Sequence, residues 1–277
     1  MYLESSYGRI HYEVQGPQDA LKVLFAHGVT MDQRTFQPQV EALKDRYRVV
    51  CLDLPGHGRS ERVDLSGPYS ARAAKVINEL LDELGARRVV LVGQSLGSTL
   101  CQRAAWEAPD RVVGSVHLGG WSLYPRASPL LRALNPLIAL SIGLFPRKPL
   151  CALFAAHKAL KPETQAYLRE CVTAAGKRLV LRLTLDMLRD MTEGIPGRLK
   201  HPMLICHGDH EAGFIRRHAR LWHEVQPSAT CAVIEEAHHI ANQDNPRGFN
   251  EVLVAFLDSV GSAAPGDQVA PPSRARC

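Results

Sequence analysis

The sequence predicts an α/β fold in which a mostly parallel β-sheet is flanked by helices and carries an inserted helical cap. Strand-like and helix-like segments alternate along the first 120 residues, which favours a parallel sheet with helices on both faces. The runs VLFA and VVLV are apolar throughout, as is typical of strands buried on both sides. Between residues 121 and 198 the alternation stops and helix-like pieces punctuated by prolines remain, which indicates the cap.

The elements of the N-terminal half can be predicted in order. A turn at Tyr7-Gly8 separates two strand-like runs and predicts a hairpin. Ser70 precedes apolar residues at helical spacing and is predicted to cap a helix. A further helix is expected to follow Ser95 and to end before Pro109. The strands predicted here are 1–5, 9–15, 22–26, 47–52, 88–92 and 112–118, with a helix at 33–45.

The alternation of strands and helices resumes after residue 198. A strand at 203–206, a helix near 213–225 and a strand at 231–234 are expected, followed by a last helix with Pro246 near its first turn.

The same pattern divides the chain into domains. The core domain is predicted to comprise residues 1–120 and 199–261, and the cap residues 121–198. Residues 262–277 are rich in proline, alanine, glycine and serine and are predicted to be a disordered tail.

Composition excludes several classes of protein. The formal charge is +5, from 33 basic and 28 acidic residues, and no long basic run occurs, so nucleic-acid binding is not expected. No apolar stretch is long enough to predict a transmembrane segment, and no signal peptide is visible. The seven cysteines contain no C-x-x-C pair, which argues against a metal site. A disulfide framework is not expected either, and reduced thiols suit the cytosol, so we expect a cytoplasmic protein. The mechanism implied below needs no metal and no organic cofactor.

The strongest local motif is Gly93-Gln94-Ser95-Leu96-Gly97, which directly follows the strand VVLV and opens a helix. In that context G-x-S-x-G predicts a nucleophile elbow, a tight strand-to-helix turn that presents a serine hydroxyl. Small residues at positions 93 and 97 let the chain pack closely around the turn. Ser95 is therefore the predicted nucleophile.

A second motif, His27-Gly28-Val29, ends the strand KVLFA. In the fold that carries this elbow, the loop after that strand supplies one backbone N–H of the oxyanion hole, and the residue after the nucleophile supplies the other. This predicts the N–H groups of Val29 and Leu96 for that role. His27 and Gly28 are also expected near the substrate, together with Trp121 and Tyr124 at the mouth of the pocket.

Two further stretches offer a general base and an acid. Ala237-His238-His239-Ile240 lies between the last strand and the last helix and offers two adjacent histidines. Gly208-Asp209-His210-Glu211 follows the strand 203–206 and offers two carboxylates. No Asp or Glu occurs from Arg111 to Pro162, so an acid cannot come from the loop after the strand 112–118.

Four blocks resemble those of the α/β-hydrolase superfamily, in particular its small, capped, esterase-like branch: LFAHG, DLPGHGRS, LVGQSLGS and HHIANQDNPRGFN. The resemblance covers roughly residues 1–120 and 199–260 and implies a mostly parallel sheet of eight strands. The family usually has a proline seven residues after its catalytic histidine, and counting back from Pro246 selects His239. The acid of the family usually lies three residues after the glycine that ends its strand, and counting from Gly208 selects Glu211. The family more often has aspartate at that position. Asp209 is therefore kept as the alternative acid.

The resemblance implies a serine hydrolase that cleaves a carboxylic ester of a hydrophobic small molecule by two-step acyl transfer. A lactonase, a thioesterase, a C–C bond hydrolase or a perhydrolase could use the same residues, and some proteins of this fold are ligand receptors. The serine nucleophile argues against the related haloalkane dehalogenases and epoxide hydrolases. The first part of the cap is apolar and basic and suggests a hydrophobic pocket with an anionic end, a lid that meets lipid, or ordinary packed helices. The sequence leaves the physiological substrate and the oligomeric state open.

Overall fold

The computed structural model describes residues 1–62, 64, 66–144, 147–226 and 229–261, and the predicted tail lies outside these residues. Within them, eight strands form one sheet in the order β1-β2-β4-β3-β5-β6-β7-β8. The pairs β1–β2 and β2–β4 are antiparallel, and every later pair is parallel. The predicted α/β fold class with its mostly parallel eight-stranded sheet is confirmed.

The strands match the predicted runs closely. They are β1 Tyr2–Ser5, β2 Gly8–Gln15, β3 Lys22–Ala26, β4 Arg48–Leu52, β5 Val89–Gln94, β6 Val112–Leu118, β7 Met203–Gly208 and β8 Ala229–Ile234. The α-helices are α1 Gln37–Leu43, α2 Tyr69–Glu83, α3 Leu96–Glu107, α4 Asn135–Leu144, α5 Arg147–Lys158, α6 Pro162–Glu193, α7 Gly213–Val225, α8 Ala241–Asp244 and α9 Pro246–Gly261.

The central strands β3 and β5 are buried because helices cover both faces of the sheet. The residues of β5 are all buried, and one face of the sheet packs on α2 and α3 while the other packs on α9. Their aliphatic side chains supply much of the hydrophobic stabilisation, at about 25 cal/mol for each Å² removed from water. The parallel strands end at one edge, so the loops that follow β3, β5, β7 and β8 lie close together.

The start of α2 differs from the prediction. Pro68, not Ser70, is the residue before the first helical position. The hydroxyl of Ser70 instead donates a hydrogen bond to Asp190 on α6, and Arg103 on α3 forms an ion pair with the same carboxylate at 2.8 Å. This buried contact fixes the last helix of the insertion to the core.

Helices fill the interval between β6 and β7, as predicted for the cap. A 3-10 helix at Pro129–Leu134 leads into α4, and α6 is interrupted at Gly176, where φ is 78°. None of the residues of α4 is buried, although most are apolar. Four leucines of this part face solvent: Leu130, Leu137, Leu140 and Leu144 are between 57% and 81% exposed. These four side chains therefore line no enclosed pocket, and the three interpretations of the segment as a whole remain predictions.

Candidate active site

Ser95 lies on a tight turn between β5 and α3. Its backbone angles are φ 53° and ψ −112°, a conformation that costs a residue with a side chain free energy and marks a functional turn. The turn needs glycine on both sides: a Cβ on Gly97 would lie 1.9 Å from the carbonyl oxygen of Ala26, and one on Gly93 would lie 2.4 Å from the carbonyl carbon of Gly97. The G-x-S-x-G pattern thus has a steric cause in this fold.

Three loop residues form a continuous hydrogen-bonded chain at this turn. Nε2 of His239 lies 3.0 Å from Oγ of Ser95, and Nδ1 of His239 lies 2.6 Å from Oε2 of Glu211. The backbone N–H of Ala212 donates to the other carboxylate oxygen of Glu211 at 2.8 Å. Glu211 is 2% exposed, whereas Ser95 is half-buried. The structure therefore brings together the three residues that the sequence selected from separate blocks.

The second carboxylate, Asp209, does not reach His239. Its oxygens accept hydrogen bonds from the backbone N–H groups of Glu236 and Ala237 at 3.1 and 3.0 Å, and it contacts His210 at 2.7 Å. Asp209 holds the loop after β8 in place, and Glu211 is the carboxylate in contact with the imidazole.

Several contacts fix the loop that carries His239. The side chain of Gln94, next to the elbow serine, donates to the backbone carbonyl of His239 at 3.2 Å. The carboxylate of Asp244 accepts from the backbone N–H of His238 at 3.0 Å. The ring of His238 lies 5.7 Å from that of His157, and its Nδ1 accepts from the backbone N–H of His239. His239 is thus the histidine of the pair that faces Ser95.

The electrostatics of the site favour a neutral imidazole beside an ionised carboxylate. Burial and the ammonium of Lys158 lower the pKa of His239 below its ordinary value, although Glu211 opposes this change. Burial alone would raise the pKa of Glu211, but the charge of His239 and its hydrogen bond lower it to about 2. At neutral pH the imidazole can therefore accept a proton, and Glu211 can stabilise the imidazolium that results.

The loop after β3 packs directly on the elbow. A Cβ on Gly28 would lie 3.2 Å from Cβ of Ser95, so Val29 follows a residue in close approach to the serine. The next residue, Thr30, has φ 67°, and its backbone N–H donates to Nε2 of His57 at 3.2 Å. Burial lowers the pKa of His57 to about 3, so this ring stays neutral and can accept that bond.

The side chain of His27, which was predicted to contact substrate, lies inside the protein. This side chain is fully buried, Nδ1 donates to the carbonyl of Gly28 at 2.8 Å, and Nε2 accepts from the backbone N–H of Leu54 at 3.0 Å. Burial lowers its pKa to about 4, which suits this neutral form. His27 therefore supports the loop that carries Val29 by connecting it to the segment after β4.

The two aromatic residues predicted at the pocket mouth differ in exposure. Trp121 is 4% exposed and packs in the hydrophobic core with Leu123 and Trp222. Its ring is therefore part of the core rather than of an open pocket mouth. Tyr124 is half-buried, as a residue at a pocket edge would be, and precedes a cis proline.

Gly119, at the end of β6, is a site residue that the sequence analysis missed. Its φ is 59°, and a Cβ there would lie 3.0 Å from Nδ1 of His239 and 3.2 Å from Oε2 of Glu211. Because it has no side chain, Gly119 lets the backbone pass directly beside the hydrogen-bonded pair of His239 and Glu211. The signal available was the Gly119-Gly120 dipeptide after a strand, which by itself indicates only a turn.

We expect Gly119→Ala to damage both stability and catalysis. Positive φ costs a residue with a Cβ about 1–2 kcal/mol, and the methyl group would push the imidazole away from Glu211. A displacement of that kind should lower kcat/KM for an ester by about 10- to 100-fold. Thermal unfolding and steady-state kinetics measure the two effects.

Gly85→Ala is the matched control, because Gly85 has φ 55° and nothing within 4 Å of its added Cβ. It should be destabilised by a similar amount and keep its kcat/KM. Equal kinetics in the two variants would contradict the placement of Gly119 against the pair.

A cavity with charged walls lies beside the loop that carries Thr30. This cavity of about 460 Å³ lies between α6 and the loops after β3 and β4, lined by charged residues that include Asp32, Arg34 and Arg59. Among the described residues, no group of three or more His, Cys, Asp or Glu side chains could hold a metal ion. No helix of the described chain is long and apolar enough to cross a membrane.

Comparisons with known proteins bear on the fold of the chain. The model of the Alpha/beta hydrolase family matches residues 23–252. Haloalkane dehalogenase 2 of Mycobacterium tuberculosis is 29% identical over 283 residues, which cover 94% of each chain. A 2-(acetamidomethylene)succinate hydrolase of Mesorhizobium japonicum is 25% identical over 273 residues, covering 91% of this chain and 93% of the relative. A thermophilic esterase from Thermogutta terrifontis superposes with a TM-score of 0.81 at 21% identity, covering 95% and 99% of the two chains.

Proposed function

Because the chain belongs to the α/β-hydrolase family, we propose that it is a serine hydrolase that cleaves a carboxylic ester of a hydrophobic small molecule through an acyl-enzyme on Ser95. The observation that carries the proposal is the hydrogen-bonded chain from Ser95 through His239 to Glu211. An alcohol is a weak nucleophile unless a base removes its proton. His239, held by Glu211 and in contact with Ser95, supplies that base in the required orientation.

The reaction proceeds in two steps of acyl transfer. Oγ of Ser95 attacks the carbonyl carbon while Nε2 of His239 takes its proton, and the imidazolium then protonates the leaving alcohol. Water, deprotonated by the same imidazole, attacks the acyl-enzyme and releases the acid and the free serine. Glu211 keeps Nδ1 protonated and compensates the charge of the imidazolium.

Two backbone N–H groups, those of Val29 and Leu96, form the oxyanion hole in this proposal. Leu96 begins α3, so its N–H lies at the positive end of the helix dipole. Gly28 approaches Ser95 closely, which supports placing the N–H of Val29 on the same side. Each donor in such a hole contributes about 10²- to 10³-fold in rate.

The nucleophile disfavours a dehalogenase reaction, although a relative carries that name. Attack of the Ser95 hydroxyl on an alkyl halide would form an ether, which the water step of this site cannot cleave. An acyl group on Ser95 is an ester, which water can cleave. Lactones, thioesters, activated C–C bonds and the acyl bond of an acetamido compound remain chemically within reach of the same residues, and the ester is the simplest of these.

The partner in this proposal is a small molecule, and no cofactor takes part. We also infer a cytoplasmic location, which suits the free and buried thiols of Cys51, Cys101 and Cys206, since thiols persist in a reducing compartment. Cys231, in contrast, is disulfide-bonded.

A series of p-nitrophenyl esters with acyl chains of two to twelve carbons tests the proposal. The wild-type protein should release p-nitrophenolate well above the enzyme-free rate, and the preferred length measures the acyl site. No hydrolysis of any member, together with an increase in melting temperature by an unconsumed ester, would instead favour a ligand receptor on the same fold.

A further inference from the structure

Lys158, the last residue of α5, is fixed beside the loop that carries the proposed general base. This loop, residues 235–240 between β8 and α8, is called the base loop below. The backbone carbonyl of Lys158 accepts a hydrogen bond from the N–H of Ile240 at 3.2 Å. The carboxylate of Asp244 accepts from the N–H groups of Leu160 and Lys161 at 3.0 and 3.1 Å, and the same carboxylate holds His238. The end of α5 and the base loop are therefore joined by hydrogen bonds through Asp244 and through the carbonyl of Lys158.

The same turn of α5 also packs on the other side of the site. Ala155 and Ala159 form a buried cluster with Met31 and Ile240. Met31 belongs to the loop after β3, and its Cε lies 2.8 Å from the position that a Cβ on Gly28 would take. The end of α5 thus bridges the proposed oxyanion loop and the base loop.

The ammonium of Lys158 acts on both the imidazole of His239 and the carboxylate of Glu211. Apart from burial, it is the strongest influence that lowers the pKa of His239, whereas it is the weakest of the influences on the pKa of Glu211. Because the backbone carbonyl of Lys158 is bonded to Ile240, the residue after His239, this charge acts from the immediate surroundings of the proposed base.

The carboxylate of Glu211 raises the pKa of this ammonium through its charge but forms no ion pair with it, because it contacts His239 and the N–H of Ala212 instead. Among the described residues, the side chain of Lys158 forms no ion pair and no hydrogen bond, and burial lowers its pKa. The other titratable groups that act on this cluster are His157 on α5 and His238 on the base loop, neither of which is an anion. A half-buried cation without a partner is unfavourable unless a ligand supplies the opposite charge.

The position is also unfavourable for catalysis of a neutral substrate. His239 must become an imidazolium during each step, and a bare ammonium nearby opposes that charge. An anionic group on the substrate would remove this opposition at the moment when the reaction takes place. Resting on the serine-hydrolase function proposed above, we propose that Lys158 forms an anion-binding subsite beside Ser95 and that the substrate is an ester bearing a carboxylate.

Two pairs of esters test the subsite, with enzyme-free rates subtracted. The first pair, 4-nitrophenyl hexanoate and mono-4-nitrophenyl adipate, differs by a carboxylate on the acyl group. The second, 4-nitrophenyl butyrate and 3-carboxy-4-nitrophenyl butyrate, differs by a carboxylate on the alcohol. Wild type should show a higher kcat/KM for the anionic member of at least one pair. Lys158→Met should lower kcat/KM for that member by about 10- to 100-fold and leave the neutral member unchanged or faster.

Matched variants separate this role from a structural one. Lys158→Arg should retain the preference for the anionic ester, and Lys161→Met, which removes an exposed ammonium three residues away, should change neither pair. If Lys158→Met slows both members of a pair equally, or if wild type shows no preference in either pair, the anion subsite is refuted even though ester hydrolysis stands.

The pH dependence gives a second readout. His239 acts in its neutral form, so kcat/KM for the neutral ester should fall as the pH drops through the pKa of His239, which lies below the ordinary value of 6.5. Removing the ammonium in Lys158→Met should shift this acid limb to higher pH. An unshifted limb would show that the ammonium does not act on the imidazole.

A binding measurement keeps the subsite testable if no ester is hydrolysed. Calorimetry on the Ser95→Ala protein should show tighter binding of monomethyl adipate than of methyl hexanoate, and the difference should vanish when Lys158→Met is added. Equal binding of the two compounds to Ser95→Ala would overturn the subsite independently of catalysis.

Discussion

Ser95→Ala should lower kcat for the best p-nitrophenyl ester by about 10⁴- to 10⁶-fold while leaving the protein folded. The hydroxyl is the only atom group removed, and a methyl group cannot form the acyl-enzyme. The residue already occupies a backbone conformation that alanine adopts no more easily than serine, with φ 53°, so the melting temperature should change little. Steady-state kinetics and thermal unfolding on the same preparation check both statements.

Ser98→Ala is the control for this loss. Ser98 lies in the first turn of α3, but its hydroxyl contacts Nδ1 of His117 at 3.0 Å and not the imidazole of His239. This variant should lose stability, because a buried hydrogen bond is removed, and should keep kcat within a few-fold. If Ser95→Ala retains hydrolysis at a rate comparable to Ser98→Ala, another nucleophile must be responsible.

Glu211→Gln should lower kcat by about 10³- to 10⁴-fold, the second-largest loss that we expect. The amide has nearly the same shape as the carboxylate but carries no charge to compensate the imidazolium. Its NH₂ group can also donate to Nδ1, which would leave the wrong nitrogen protonated. The ionised state of Glu211, with its pKa lowered to about 2, predicts that this loss is the same at every pH where His239 is neutral.

Asp209→Asn provides the comparison, since Asp209 was the reserve for the same role. Its carboxylate accepts two backbone hydrogen bonds from the loop after β8, so the amide should reduce the free energy of unfolding by about 1–3 kcal/mol. Its kcat should stay within a few-fold of wild type. A larger loss of kcat in Asp209→Asn than in Glu211→Gln would transfer the role of the acid to Asp209.

Much of the fold was predictable because the strands bear a simple physical signature. Continuous runs of valine and leucine, such as that of β5, can be satisfied only between two covering layers. The elbow was predictable for a similar reason, since Gly93 and Gly97 are required by contacts of 1.9–2.4 Å that any side chain would violate. Spacing to Pro246 selected His239 over His238, and the structure places His239 at the serine.

The differences and omissions concern side chains whose surroundings are set by distant parts of the chain. His27 was expected at the substrate because it adjoins the loop of the oxyanion hole, but the segment after β4 offers it a backbone partner at Leu54. Ser70 was expected to cap its own helix, but Asp190 lies within hydrogen-bonding reach. The position of Lys158 depends on Asp244, whose carboxylate fixes the end of α5. This carboxylate accepts hydrogen bonds from the N–H groups of Leu160 and Lys161, which lie 84 and 83 residues earlier in the chain. Local patterns contain no information on such contacts.

Labelling with an alkyl fluorophosphonate tests the central claim, a reactive serine nucleophile at the elbow, most directly. The phosphonate reacts only with an activated hydroxyl and forms an adduct that does not depend on which ester is the natural substrate. Intact mass and peptide mapping should show a single adduct on Ser95 in the wild type, much slower labelling in His239→Ala, and none in Ser95→Ala. Absence of an adduct in the wild type, or an adduct that persists in Ser95→Ala, would contradict the account.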